Sequence, residues 1–189
     1  MNTYNKADSV IKQQVREHLL NEAKNWIDKP ISGLTLPNTN FWLEEALLNR
    51  ENSQFTCYEY NSTTFKQANP PKNINYIEGD IFSVKGKRFN FVWLDYCNAF
   101  CNSIVNKTIE FTKNNEFYGN SVLGVTFCKA HGWPTGYENV YPNYKTEGFG
   151  KHLSTFLKGV KEVSTIEYAC HDTSEQPAPM ILYIFKFKN

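Results

Sequence analysis

Strong net charge, long apolar runs and a disulfide framework are all missing from this 189-residue chain. With 20 Lys and Arg against 19 Asp and Glu, the formal net charge is +1. That balance excludes nucleic-acid binding by bulk charge alone, although a local basic patch is compatible with it. No apolar stretch approaches the roughly 20 residues that a membrane helix needs. The opening MNTYNKADSV has no apolar signal core. A soluble cytoplasmic protein with no membrane partner is therefore expected. The five cysteines, Cys57, Cys97, Cys101, Cys128 and Cys170, form an odd set with spacings unlike a disulfide scaffold, so reduced thiols are expected. Internal repeats and low-complexity linkers are lacking too. One domain over 1–189 is expected, with a leading helix inside 1–30 packed on it.

What is present is enough apolar material for a core: 41% hydrophobic residues, 15% of the chain being aromatic. Ile11, Val15, Leu19, Ala23 and Trp26/Ile27 recur at helical spacing over Ser9–Ile27, and Pro30 ends that helix. A short apolar run, Ile31–Leu36, stops at Pro37–Asn40. A second helix is expected over Phe41–Leu48, with Asn40 as its cap and Glu44 and Glu45 in its first turn. Phe55–Tyr60, Ile74–Glu78, Phe89–Leu94 and Ser121–Phe127 read as strands. The first two are separated by one or two helical turns at Ser62–Ala68, and the last two by a helix through Ile104, Val105, Ile109 and Phe111. A final helix is expected through Phe149, Leu153, Phe156, Leu157 and Val160. Two strands, Glu162–Cys170 and Met180–Phe187, then close the chain.

Alternating strands and helices predict an α/β fold: a seven-stranded, mostly parallel, Rossmann-like sheet with helices on both faces. The segment His171–Pro179 is too short for a parallel crossover, so the C-terminal strand should be antiparallel. In open sheets of this kind ligands bind beyond the carboxyl ends of the strands. Asn38, Glu59, Asp80, Asp95 and Cys128 all fall at such ends. The plainer alternative is that acidic residues after strands cap the next helix or face solvent.

This order of elements resembles the class I S-adenosylmethionine-dependent methyltransferases over nearly the whole chain. The resemblance implies S-adenosylmethionine as cofactor and a methyltransferase activity. It assigns Glu59, in Cys57–Tyr60, to the cofactor ribose and Asp80, in Glu78–Phe82, to the adenine amino group. It places Asp95 and Tyr96, after Phe89–Leu94, at the catalytic edge. Where the family has an acidic strand end and a glycine-rich turn, this chain has Gly33–Asn40. Pro37, Asn38 and Asn40 then become the cofactor-binding residues of the first turn. This departure motivates the alternative reading, a non-enzymatic binding or interaction protein that has kept the fold and lost the turn.

Two weaker constellations complete the picture. Cys97 and Cys101, around the start of an expected helix, and Cys128 and His131, after the next strand, form a zinc-type ligand set that neighbouring strands would bring together, but the spacing matches no known ribbon or finger, and no metal is expected. Cys128, near Lys129 and His131, is alternatively a nucleophile of the kind found in RNA pyrimidine methyltransferases, without the proline-cysteine pair those enzymes carry. The long connection from Lys129 to Lys145 carries Trp133, Tyr137, Tyr141 and Tyr144. These rings either stack on a nucleobase, making nucleic acid a candidate acceptor, or pin the loop to the body. The acceptor and the oligomeric state are not encoded in any readable motif.

Overall fold

The computed structural model describes residues 10–37, 41–99, 102–128, 149–170 and 178–188. Its seven strands are β1 (Ser32–Thr35), β2 (Gln54–Glu59), β3 (Ile74–Glu78), β4 (Arg88–Ala99), β5 (Glu116–Cys128), β6 (Val160–Cys170) and β7 (Ala178–Phe187). They form one sheet in the order β3-β2-β1-β4-β5-β7-β6. The first five run parallel, while β7 is antiparallel to both β5 and β6. The expected α/β sheet with an antiparallel C-terminal strand is what forms. Val92 and Leu94 are fully buried, and Leu182 faces Thr126 in antiparallel register.

The helices are α1 (Val10–Trp26), α2 (Trp42–Leu48), α3 (Ser62–Gln67), α4 (Asn102–Asn114) and α5 (Phe149–Ser154). They cover both faces because the strands carry apolar side chains on both. Leu19, Ala23, Leu43 and Leu47 from α1 and α2 pack on Phe55, Phe91, Trp93 and Ile184. Val105, Ile109 and Leu153 from α4 and α5 pack on Val92, Leu94, Val125 and Tyr183 across the sheet. No helix among the described residues is long and apolar enough to cross a membrane.

Three elements differ from the sequence reading. Strand β4 does not stop at Leu94 but continues to Ala99, because β5 is itself long enough to pair with it, through a register shift between Asp95 and Ala99. Helix α5 ends at Ser154, with Gly159 at φ 84° turning the chain into β6. The periodic Leu157 and Val160 are therefore apolar for other reasons: Leu157 is buried in the same core, and Val160 pairs with Phe187. At α2 the N-cap position is held by Phe41 without a side-chain cap, not by Asn40.

Candidate functional site

The strand order reverses between β1 and β4, and in sheets of this kind ligands bind beyond the carboxyl ends of the strands at such a point, here β1, β2, β3 and β4. Glu59 is the last residue of β2, half-buried and in register with Glu78 of β3. One of its carboxylate oxygens accepts from the Asn61 N–H at 2.7 Å, and the Asn61 side chain in turn caps α3 by accepting from Thr63 and Thr64. Immediately beyond it in the chain, Tyr60 is 82% exposed. Asp80, exposed after β3, accepts from the Phe82 N–H at 3.0 Å and so caps the 3-10 turn Ile81–Ser83. The capping role weighed for such acids in the sequence is thus realised at Asp80, and a comparable backbone contact is made by Glu59.

Asp95 and Tyr96 go separate ways, since successive residues of a strand face opposite sides of the sheet. Asp95 is half-buried, in register with Thr126, on the face that carries Trp93. Tyr96 turns into the other core, its ring stacked on Phe82 at 5.7 Å and tilted against Phe127 at 5.5 Å. Its hydroxyl receives a 3.4 Å hydrogen bond from Thr108, and burial pushes its pKa well above the usual phenol range. Tyr96 therefore sits beneath the site as a neutral, buried ring. Pro37 is buried at the end of the β1 run. Asn38, Asn40, Cys101, His131 and the Lys129–Lys145 loop lie outside the described residues, as do the side chains of Cys97 and Cys128. Among the described residues, no three His, Cys, Asp or Glu side chains are grouped to hold a metal.

One site-level residue escaped the sequence reading. Glu44, in the first turn of α2, is fully buried, and neither carboxylate oxygen has a hydrogen-bond partner among the described residues. Burial raises its pKa to about 7, against the opposing pull of Thr35 and Arg16. Thr35, at the carboxyl end of β1, contacts the Cys57 thiol at 3.2 Å. Cys57, Thr35 and Trp93 are register partners across β2, β1 and β4. Arg16 of α1 lies over the Trp93 ring at 5.9 Å, and the Trp93 indole donates to Thr126 at 3.1 Å. The signal in the sequence was a first-turn acid, which ordinarily implies a solvated side chain. At the opposite, amino edge of the sheet an open hollow is lined by Ser32, Gln54, Lys72, Asn73 and Phe89, but it holds no carboxylate or thiol. Strand order, rather than concavity, singles out the carboxyl edge as the candidate site.

The donor set at the carboxyl edge suits the nucleoside half of S-adenosylmethionine. A half-buried carboxylate can accept from two ribose hydroxyls, an exposed tyrosine follows it in the chain, and a second carboxylate comes just after the next strand. The β1 end fits less closely, because Thr35–Pro37 supplies neither an acid nor the N–H that proline lacks.

No protein-family model and no curated protein matches the chain. Solved structures do. The N-methyltransferase NodS from Bradyrhizobium japonicum WM9, in complex with S-adenosyl-L-homocysteine, aligns with a TM-score of 0.59 at 12% identity, covering 98% of this chain and 92% of that one. Precorrin-6y C5,15-methyltransferase from Geobacter metallireducens GS-15 aligns with a TM-score of 0.56 at 12% identity, covering 99% and 95%. With the strand order and the antiparallel seventh strand, these likenesses give the chain the class I S-adenosylmethionine-dependent methyltransferase-like fold.

Proposed function

We propose that the chain is an S-adenosylmethionine-dependent methyltransferase whose site is the carboxyl edge of β1–β4. The observation that carries this reading is the convergence of Glu59, Asp80 and Asp95 on that one edge of a sheet with this strand order. When bound, the cofactor supplies a sulfonium methyl group. Its chemistry there would be transfer of that methyl to an acceptor lone pair, with sulfur keeping the carbon–sulfur electron pair and the acceptor's proton passing to solvent. Glu59 would hold the ribose and Asp80 the adenine amino group, and Pro37, Asn38 and Asn40 would flank the methionine end. Asp95 accepts a hydrogen bond from the acceptor's N–H or O–H and holds its lone pair in line. Tyr96, a buried neutral ring, acts only by supporting the β4 end. Catalysis of this kind is largely positioning. The acceptor is a small molecule, a protein side chain or a nucleobase brought in by the aromatic loop.

Calorimetric titration of S-adenosylmethionine and S-adenosylhomocysteine tests the reading directly. Binding of both is expected, and Glu59→Ala should weaken it by about tenfold or more, since each charge-assisted hydrogen bond contributes roughly 1.5–3 kcal/mol. Glu110→Ala, on the exposed face of α4, should leave affinity unchanged. The second reading, a binding module without turnover, is favoured by the Thr35–Pro37 strand end. It wins if neither nucleoside binds.

A further inference from the structure

Apolar packing does not account for Glu44. A carboxyl group with no exposed surface, facing only the Thr35 hydroxyl and the more distant Arg16 charge and with no hydrogen bond of good geometry among the described residues, carries a large desolvation cost that an apolar side chain of similar size would avoid. Its place is specific: it faces Thr35, the last residue of β1, with Cys57 of β2 beyond. Arg16 approaches it from α1, and Glu45 is the neighbouring charge on α2. This is the strand end at which the chain has no acidic residue of its own.

We propose that Glu44 is a positioning and specificity residue of this site, whose buried carboxylate beneath the end of β1 favours a cationic sulfonium cofactor over its neutral thioether product. The inference rests on the methyltransferase reading. A unit charge inside the protein is poorly screened and acts across neighbouring strands. Methyl transfer removes the ligand's sulfonium charge, so the attraction holds before transfer and is lost after it. That asymmetry retains substrate and releases product.

The charge on Glu44 is adjustable. Burial raises its pKa to about 7, so it is neutral well below that pH and ionised well above it. Among the groups facing it, Cys57 stays a neutral thiol, pushed up by burial and then by the Glu44 charge itself. Thr35 does not titrate, and the guanidinium of Arg16 keeps its charge.

The experiment measures affinities for S-adenosylmethionine and S-adenosylhomocysteine at pH 5.5 and 8.5, in the wild type and in Glu44→Gln. The wild-type preference for the sulfonium form should rise about tenfold more between the two pH values than that of the Gln variant. An equal change in both proteins overturns the assignment of Glu44 and leaves the methyltransferase reading standing. No binding of either nucleoside to the wild type overturns both. Should Glu44→Gln fail to fold, carbon-13 NMR of the wild-type Glu44 carboxyl serves instead. The sulfonium form should lower its titration midpoint, and the thioether should not. Equal midpoints with the two ligands overturn the proposal.

Discussion

Glu44 makes the stability of the chain depend on pH in a direction opposite to that of a salt-bridged acid. Its folded pKa, about 7, lies above its ordinary value of 4.5. The contribution is therefore fully present below about pH 4.5 and is lost as pH rises toward 7, by about 3 kcal/mol at the plateau. Urea midpoints between pH 4.5 and 8 should fall for the wild type relative to Glu44→Gln, whose amide does not titrate; parallel curves would place the ionisation elsewhere. Asp95 belongs to the same scale. On the methyltransferase reading, Asp95→Asn keeps the shape and the half-buried register with Thr126, so it should fold and match the wild type in cofactor affinity. Its turnover should drop on the order of 100-fold, the usual effect of losing the alignment of a reacting group. Steady-state rates with the acceptor, once identified, check this. Undiminished turnover would remove Asp95 from the chemistry.

At the scale of elements, β1 shows how little of a central strand is needed when its neighbours hold it. It has only four residues, yet it pairs with β2 and β4 on both sides. Asn90, buried in β4, accepts from the Ser32 N–H at 2.8 Å and donates to the Pro30 carbonyl at 2.9 Å, securing the strand's entry. Gly33 is required there for space rather than for backbone freedom. A Cβ at that position would lie 2.1 Å from the Phe55 ring, which is itself buried edge-on against Phe91 at 5.9 Å. Gly33→Ala should thus destabilise the protein by about 2 kcal/mol or more through overpacking, read as a lowered urea midpoint. Wild-type stability in that variant would mean that Phe55 can swing away. Strand β4 makes the complementary point: aromatic and β-branched residues identify its first half, while Asp95–Ala99 is strand only because β5 lies alongside.

Across the whole molecule, Lys186 joins α1 to the antiparallel end of the sheet. Its ammonium meets Glu22 at 2.6 Å and Glu162 at 3.0 Å and lies 5.4 Å from the Trp26 ring centre. The Trp26 indole also donates to the Phe187 carbonyl at 2.7 Å. Lys186→Met keeps the buried stem and removes the charge, leaving Glu22 without this partner. A loss of about 2 kcal/mol is expected, smaller than for a fully buried pair because Glu162 is half exposed. Equal thermal midpoints in wild type and variant would show that packing alone holds α1 in place.

The alternation of strands and helices is legible in the order of residues alone. Local signals sufficed: period, turn residues and the short His171–Pro179 connection that forces an antiparallel pair. The same order also located Glu59 and Asp80 at strand ends, because those ends are marked by the residues that follow. The other side chains at that edge take their places only through long-range packing. Tyr96 enters the core because β4 runs on past Leu94 and strand alternation turns consecutive side chains to opposite faces. Glu44 is buried because α1, β1 and β2 close around it, contacts made by residues 9 to 28 positions away in the chain. In its own helix it is an ordinary first-turn acid. Only when distant segments remove the water around it does its charged form become costly, raising its pKa to about 7.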